Sequence, residues 1–292
     1  MSAATVVHVV VSGLATGSIY ALVAISLVIV YKATRTLNFA QGEMLMVSTF
    51  VGWTAYRALG LPLLGAAVVA ALAAAVLGLV IERTIIRRAI SATHWDVLII
   101  TLGLSLVLRA TAGLVWTHDE FAFPSFFGTR PIAVGAVRVA PESLGIIAAS
   151  LTLMLVLYVL FTHTRLGRAM RAVAQDQNAA RLMGISVERV YSASWVLASV
   201  VGAVAGVLIA PVVFLSTKMG LLAINGFTAA VLGGFGSMPG AVVGGMLLGV
   251  IENLAPLYLP VSIRHAVPFL LLIGILVVRP GGLLGRVEQR KV

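Results

Sequence analysis

Ionisable side chains are scarce in this chain, so each one that falls among apolar residues asks for a reason. Asn38, Gln41 and Glu43 stand together in "LNFAQGEM", directly before an apolar run. Arg109 interrupts "VLIITLGLSLVLRATAGLVW", residues 97–116. An acid or base at membrane depth is a functional candidate by default, for a substrate path, an ion site or a proton relay. Asn225, Thr228 and Ser237 add polar groups to a glycine-rich stretch further on. The densest charge lies in "TRLGRAMRAVAQDQNAARLMGISVERV", residues 164–190, with five arginines and two acids in 27 residues. No catalytic apparatus accompanies them. His8, His94, His118, His163 and His265 are scattered, none at metal-ligand spacing, and Asp119-Glu120 has no third ligand in view. Ser18, Ser26 and Ser105 have no adjacent base and are expected to bond the preceding helical turn. The absence of cysteine excludes disulfides, thiolate metal sites and cysteine nucleophiles. No G-x-x-x-x-G-K-[ST] occurs, so nothing is expected to cradle ATP phosphates. The expectation is therefore no catalytic residue, no metal and no cofactor.

The elements that must hold these groups are membrane helices. Of the 292 residues, 60% are hydrophobic and only 10% charged, against about 25% charged in a soluble domain. The net charge of +10 sits in short loops between apolar spans, which points to topology and anionic lipid rather than nucleic acid. Residues 1–31 carry no charged side chain, so the basic region of a cleavable signal is missing. Spans are predicted at about 6–30, 40–59, 61–81, 97–116, 143–162 and 192–213, with a glycine-rich region at 223–252 and a last span at 265–278. Segments 32–43, 82–96, 163–191 and 279–292 hold 14 of the 20 basic residues and are assigned to the cytoplasm, with loop 117–142 outside. An even number of crossings must then separate segment 163–191 from the tail. "LGGFGSMPGAVVGG", residues 232–245, splits the glycine-rich region into two short helices, about 223–236 and 239–252, and restores that parity. The expected fold is all-α: one polytopic helical bundle over 1–292, with about 8–9 spanning or half-spanning helices and a broken helix near 225–250.

Each polar feature has two readings. Asn38 and Gln41 fit a capping box, with Asn38 as N-cap and Gln41 at N3. Alternatively Asn38, Gln41 and Glu43 mark a broken helix beside the substrate path. Arg109 would cost about 2.5–3.5 kcal/mol at a helix centre, which eleven Val, Ile and Leu residues in its span offset. Lying seven residues from Trp116, it is expected to snorkel toward the outer interface. Gly236, Gly240 and Gly244 fit close helix packing, while Asn225, Thr228 and Ser237 are candidates for pathway lining. Residues 168–183 lack glycine and proline and predict one helix ending at Gly184. Ala169, Ala172, Asp176, Ala179 and Met183 would share a mostly small face suited to docking. The bland alternative is a solvated loop helix whose arginines only set topology.

"NAARLMG", residues 178–184, resembles the coupling loop of ATP-binding cassette (ABC) importer permeases, with Ala179, Ala180 and Gly184 matching and Asn178 in place of the acid. "GLATGSIYALVAISLVIVY", residues 13–31, then "LNFAQGEMLM" and "FTAAVLGGFGSMPGAVVGGMLLGVIE", residues 227–252, resemble the branched-chain amino acid importer permeases. The resemblance implies a permease in the bacterial cytoplasmic (inner) membrane. It implies as partners a second homologous permease, two cytoplasmic ATP-binding cassette subunits and an extracytoplasmic substrate-binding protein, besides membrane lipid and with no nucleic acid. Residues 163–191, with Arg171, Asp176, Asn178, Ala179, Ala180 and Gly184, would couple it to the ATPase. Branched-chain or other hydrophobic amino acids are the expected substrates, with urea, amides and small organic carboxylates as alternatives. An ion-coupled secondary transporter is the competing class, with Glu43 and Arg109 as its only relay candidates.

Overall fold

The computed structural model describes residues 3–89, 94–128, 130–134, 137–260 and 266–285. Arg286, Arg290, Lys291 and His265 lie outside the described residues. The chain is helical, in the order α1 (Ala3–Thr34), α2 (Gln41–Leu59), α3 (Leu63–Ile81), a π-helical turn (Glu82–Ile86), α4 (Arg87–Ala89) and α5 (His94–Trp116). A hairpin of two three-residue strands, β1 (Ile132–Val134) and β2 (Val137–Val139), precedes α6 (Pro141–His163). Then come α7 (Arg165–Gln175), α8 (Gln177–Leu182), α9 (Val187–Val213), a 3-10 turn (Thr217–Leu221), α10 (Leu222–Gly233), α11 (Met238–Leu254) and α12 (Val267–Val278). Among the described residues six helices are long and apolar enough to cross a bilayer: Thr5–Thr34, Leu63–Ala89, Trp95–Trp116, Pro141–His163, Val187–Val213 and Met238–Leu257. The architecture is the expected all-α polytopic one. The predicted span 40–59 forms a helix of 19 residues, but Gln41, Glu43 and Arg57 leave it outside that apolar set.

Contacts divide the chain into two compact units, each assembled from separated stretches of sequence. The first comprises Met1–Val28, Ser125–Ser150 and Ile224–Val292. Here α1 lies against α11 through glycines. A Cβ on Gly17 would meet the Gly245 carbonyl oxygen at 2.8 Å, and one on Gly13 would meet Val250 Cα at 2.8 Å. On its other flank α11 meets α10 with equal intimacy, Gly240 against Gly233 and Gly244 against Ala229. Small residues four apart remove the side-chain layer between two helices, so backbone packs on backbone. Gly236 does not take part: it is a turn residue with open space where a Cβ would point. Residues 234–237 break the helix where expected. Leu283 and Leu284 of the tail then donate N–H bonds of 2.9 Å to the Leu232 and Gly233 carbonyls. These are carbonyls that the end of α10 leaves without helical partners.

The second unit comprises Ile29–Pro124 and Leu151–Ala223, built around α2, α3 and α9. Ala66, Ala70, Ala74 and Gly78, four residues apart, form the buried stripe of α3. Gly52 of α2 seats on Ala66 and Ala70, and Gly78 seats on Trp195 and Ser199 of α9. The opposite stripe of α3, Leu64, Val68, Leu72, Val76 and Val80, is exposed, as suits contact with lipid. Trp53 and Trp116 gather at one end of this unit. Trp116 stacks on Phe50 at 5.1 Å and donates a hydrogen bond of 2.8 Å to Thr54. Trp53 bonds the Ala122 carbonyl at 3.2 Å.

Candidate functional site

The polar stretch before α2 folds into a compact knot. Asn38 is not the N-cap; that position is Ala40, which has no side-chain cap bond. Instead Asn38 Oδ1 accepts the Ala40 N–H at 3.1 Å while its Nδ2 donates to Gln41 Oε1 at 3.0 Å. Gln41 Nε2 in turn donates to the Ala198 carbonyl of α9 at 3.0 Å. The capping box is therefore replaced by a bracket between α2 and α9. Its reason is burial: Asn38 and Gln41 are both 1% exposed, and buried amides must find partners wherever the fold offers them.

Glu43 follows on the first turn of α2, buried, and it is paired with Arg109 of α5. The expected snorkelling of Arg109 toward the tryptophan end is thus overturned. Glu43 precedes Thr54 by eleven residues, about 16 Å of helix, whereas Arg109 precedes Trp116 by seven, about 10 Å. Thr54 and Trp116 are bonded to each other, so the guanidinium must reach inward by the remaining ~6 Å, away from that interface. Tryptophan is enriched at membrane interfaces. With Trp116 at that level, a hydrocarbon core about 30 Å thick would hold the pair toward its middle, and Glu43 would then lie outside the cytoplasmic segment predicted over 32–43. The 3-10 turn closes over it. Gly42 and Gly220 are in contact, and a Cβ on Gly220 would sit 2.6 Å from Glu43 Oε1. The pair is incompletely satisfied, because Arg109 Nε is buried without a partner. The Glu43 side chain is 4% exposed but that of Arg109 is 40% exposed. An unshielded arginine facing hydrocarbon at this depth would cost about 2.5–3.5 kcal/mol, so its open flank suits water or protein.

The arginine-rich segment departs from the predicted single helix. Asp176 takes an extended conformation (φ −152°, ψ 114°), ending α7 and starting α8. Its carboxylate accepts the N–H groups of Asn178 at 2.8 Å and Ala179 at 3.0 Å, the behaviour of a strong N-cap. The supposed common face of residues 169–183 does not exist, since the break rotates α8 away from α7. Gly184 ends α8 with φ +80°. Its N–H bonds Arg181 O and the Ile185 N–H bonds Ala180 O, both at 3.0 Å, the Schellman arrangement that favours glycine. Ala180 is buried while Asn178 and Ala179 are exposed. Arg171 turns back onto the Phe161 carbonyl, and Arg35 fastens the segment by donating to Ala174 O at 2.9 Å. Leu182 and Met183 stand 89% and 82% exposed. Both are large apolar side chains left bare beside a charged segment.

The remaining candidates belong to the other unit. Asn225 is half-buried on α10. Thr228 on the same helix is fully buried, and its Oγ1 has no partner. Ser237 caps α11 by accepting the Gly240 N–H at 3.1 Å.

Residues 9–276 match the protein family described as the permease component of the branched-chain amino acid transport system. The chain belongs to that family. It is 36% identical over 296 residues to the "high-affinity branched-chain amino acid transport system permease protein LivH" of Escherichia coli strain K12, covering 96% of each chain. Identity is 34% to BraD of Pseudomonas aeruginosa, described in the same words, with 97% of this chain and 96% of that one covered. It is 28% to the probable LivH of Methanocaldococcus jannaschii, covering 93% and 90%. No solved structure matches this chain.

The permease is thus a multi-pass membrane protein of a transport family, not itself an enzyme. Its least legible feature was the union of Glu43 with Arg109. One signal was available: an acid and a base buried in separate apolar spans each need a partner, and each is the other's best one. Also missed was a second pair on a buried acid. Glu82 accepts two bonds from Arg87, at 3.0 and 2.9 Å, and a third from Ser192 at 2.7 Å. Residues five apart do not face each other on an α-helix; the π turn over Glu82–Ile86 brings these two together.

Proposed function

We propose that the permease is one membrane subunit of an ATP-driven importer for branched-chain amino acids, acting as a single domain in the bacterial cytoplasmic membrane. The observation that carries this reading is similarity along nearly the whole chain to permeases named for that transport. A second homologous permease, two cytoplasmic ATPases and an extracytoplasmic binding protein complete the assembly. The arginine-rich ends face the cytoplasm, in keeping with the positive-inside rule. Segment 165–184 meets the ATPase with Ala179, Leu182 and Met183, whose exposure supports this role. Ala180, by contrast, serves the internal packing of the segment. Asn38 and Gln41 brace the entrance of α2, and Glu43 faces the path. Asn225, Thr228 and Ser237, on the broken helix, are separate candidates for pathway lining.

The test is leucine uptake by the reconstituted assembly, with and without ATP, and with urea, acetamide and propionate as competitors. Uptake that needs ATP, withstands a protonophore and yields to no competitor is expected. Dependence on an ion gradient would instead indicate a secondary transporter. In the same assay Ala179→Trp is expected to abolish uptake while ATP hydrolysis persists, since the indole would stand in the subunit contact. Wild-type uptake by Ala179→Trp would reduce the segment to a topological anchor. Ala180→Trp is unsuitable, because an indole at a buried position would disrupt the segment itself.

A further inference from the structure

We propose that the Glu43–Arg109 pair is the binding site for the charged head of a zwitterionic α-amino acid with an apolar side chain. The pair opens to admit it. This rests on the amino acid transport proposed above. A zwitterion crossing a membrane carries an ammonium and a carboxylate, and each loses hydration at mid-depth. Glu43 and Arg109 supply one counter-charge for each. Before substrate enters, the two side chains neutralise one another. After it enters, Glu43 faces the ammonium and Arg109 the carboxylate, and the site is again neutral. At no stage is a net charge left buried.

One observation favours an openable pair over a permanent brace, and two more say how a ligand reaches it. The guanidinium is under-used, with its buried Nε lacking any acceptor; guanidinium donors match a carboxylate in a fork. The 40% exposure of the Arg109 side chain leaves a flank by which a small molecule arrives. The surface beside that flank is apolar: Leu106 and Leu102, three and seven residues earlier on the same face of α5, are 66% and 48% exposed. A head group at the pair would lay a branched aliphatic side chain along them. The ceiling is the backbone of Gly220, where any Cβ would crowd the Glu43 carboxylate.

The native chain has no cysteine, so Leu106→Cys creates a single reporter in this subunit, and its labelling in the assembled complex is read on the separated subunit. Its reaction with a water-borne methanethiosulfonate is followed without binding protein, so that upstream selection plays no part. The probes are L-leucine, leucinamide, which has only the cation, and 4-methylpentanoate, which has only the anion. Leucine is expected to slow labelling about tenfold at about ten times its dissociation constant, and the single-charge analogues are expected not to slow it at that concentration. Added Glu43→Gln or Arg109→Gln is expected to remove the protection. Equal protection by all three compounds, no protection by leucine, or a cysteine that the reagent never reaches each overturns the proposal. ATP-driven leucine uptake by the otherwise native assembly separates the two failures. Uptake without protection sinks only the head-group site, and absence of uptake sinks the transport reading on which it depends.

Discussion

Two arginine–carboxylate pairs in the same unit look alike by exposure and differ in what surrounds them. The Glu43 and Glu82 side chains are 4% and 1% exposed, and those of Arg109 and Arg87 are 40% and 37% exposed. Around Glu82 the hydrogen bonds are abundant. Arg87 grips it twice, Ser192 donates to it, and Arg87 also donates to Ser192 at 2.7 Å. That network ties the end of α3 to the start of α9. Around Arg109 a donor is left over. A saturated buried network is a brace, because opening it strands several groups at once. An unsaturated pair is the easier of the two to open.

The comparison breaks most visibly at the brace. Glu82→Gln puts an amide where three donors converge, and is expected to cost about 3 kcal/mol. Thermal unfolding in detergent should show a clear fall in midpoint, with reduced yield of assembled complex. An unchanged midpoint would mean that the network does not hold α3 to α9. The same exchange at Glu43 removes one charge and keeps one acceptor for Arg109. Glu43→Gln is expected to lower leucine uptake about tenfold, the equivalent of 1.4 kcal/mol, at near wild-type yield. Uptake and yield both at the wild-type level would retire Glu43 from the path. The smallest effect belongs to Ser192→Ala, which removes one neutral donor from the brace and should cost about 1 kcal/mol. A loss equal to that of Glu82→Gln would show the serine, not the ion pair, to be the centre of the network.

How far the chain could be read from its residues follows from the range of the interactions concerned. The apolar spans were visible because roughly 20 residues of hydrocarbon-compatible side chain leave a mark that no neighbour alters. The break at 234–237 was visible because glycines and a proline interrupt a helix locally. The break at Asp176 is local too, but helix propensity over residues 168–183 hides it, and the N-cap strength of aspartate prevails. Spacing alone puts Gly236 in a packing stripe, yet it belongs to the turn, and the glycines that pack lie on two flanks of α11.

By itself the sequence determined that this is a helical membrane protein, roughly where its helices begin and end, and that it carries no cysteine or nucleotide-binding loop. Those properties depend on composition and on contacts a few residues apart. Only the tertiary structure decided that Glu43 meets Arg109 across 66 residues of chain, that Gln41 reaches Ala198, and that Ala180 is buried while its neighbour Ala179 is bare. The first two share one physical reason, and the third follows from helix packing alone. In a buried or membrane-embedded site a polar group must be satisfied by whatever the fold brings near it, and which group that is depends on how helices distant in sequence pack.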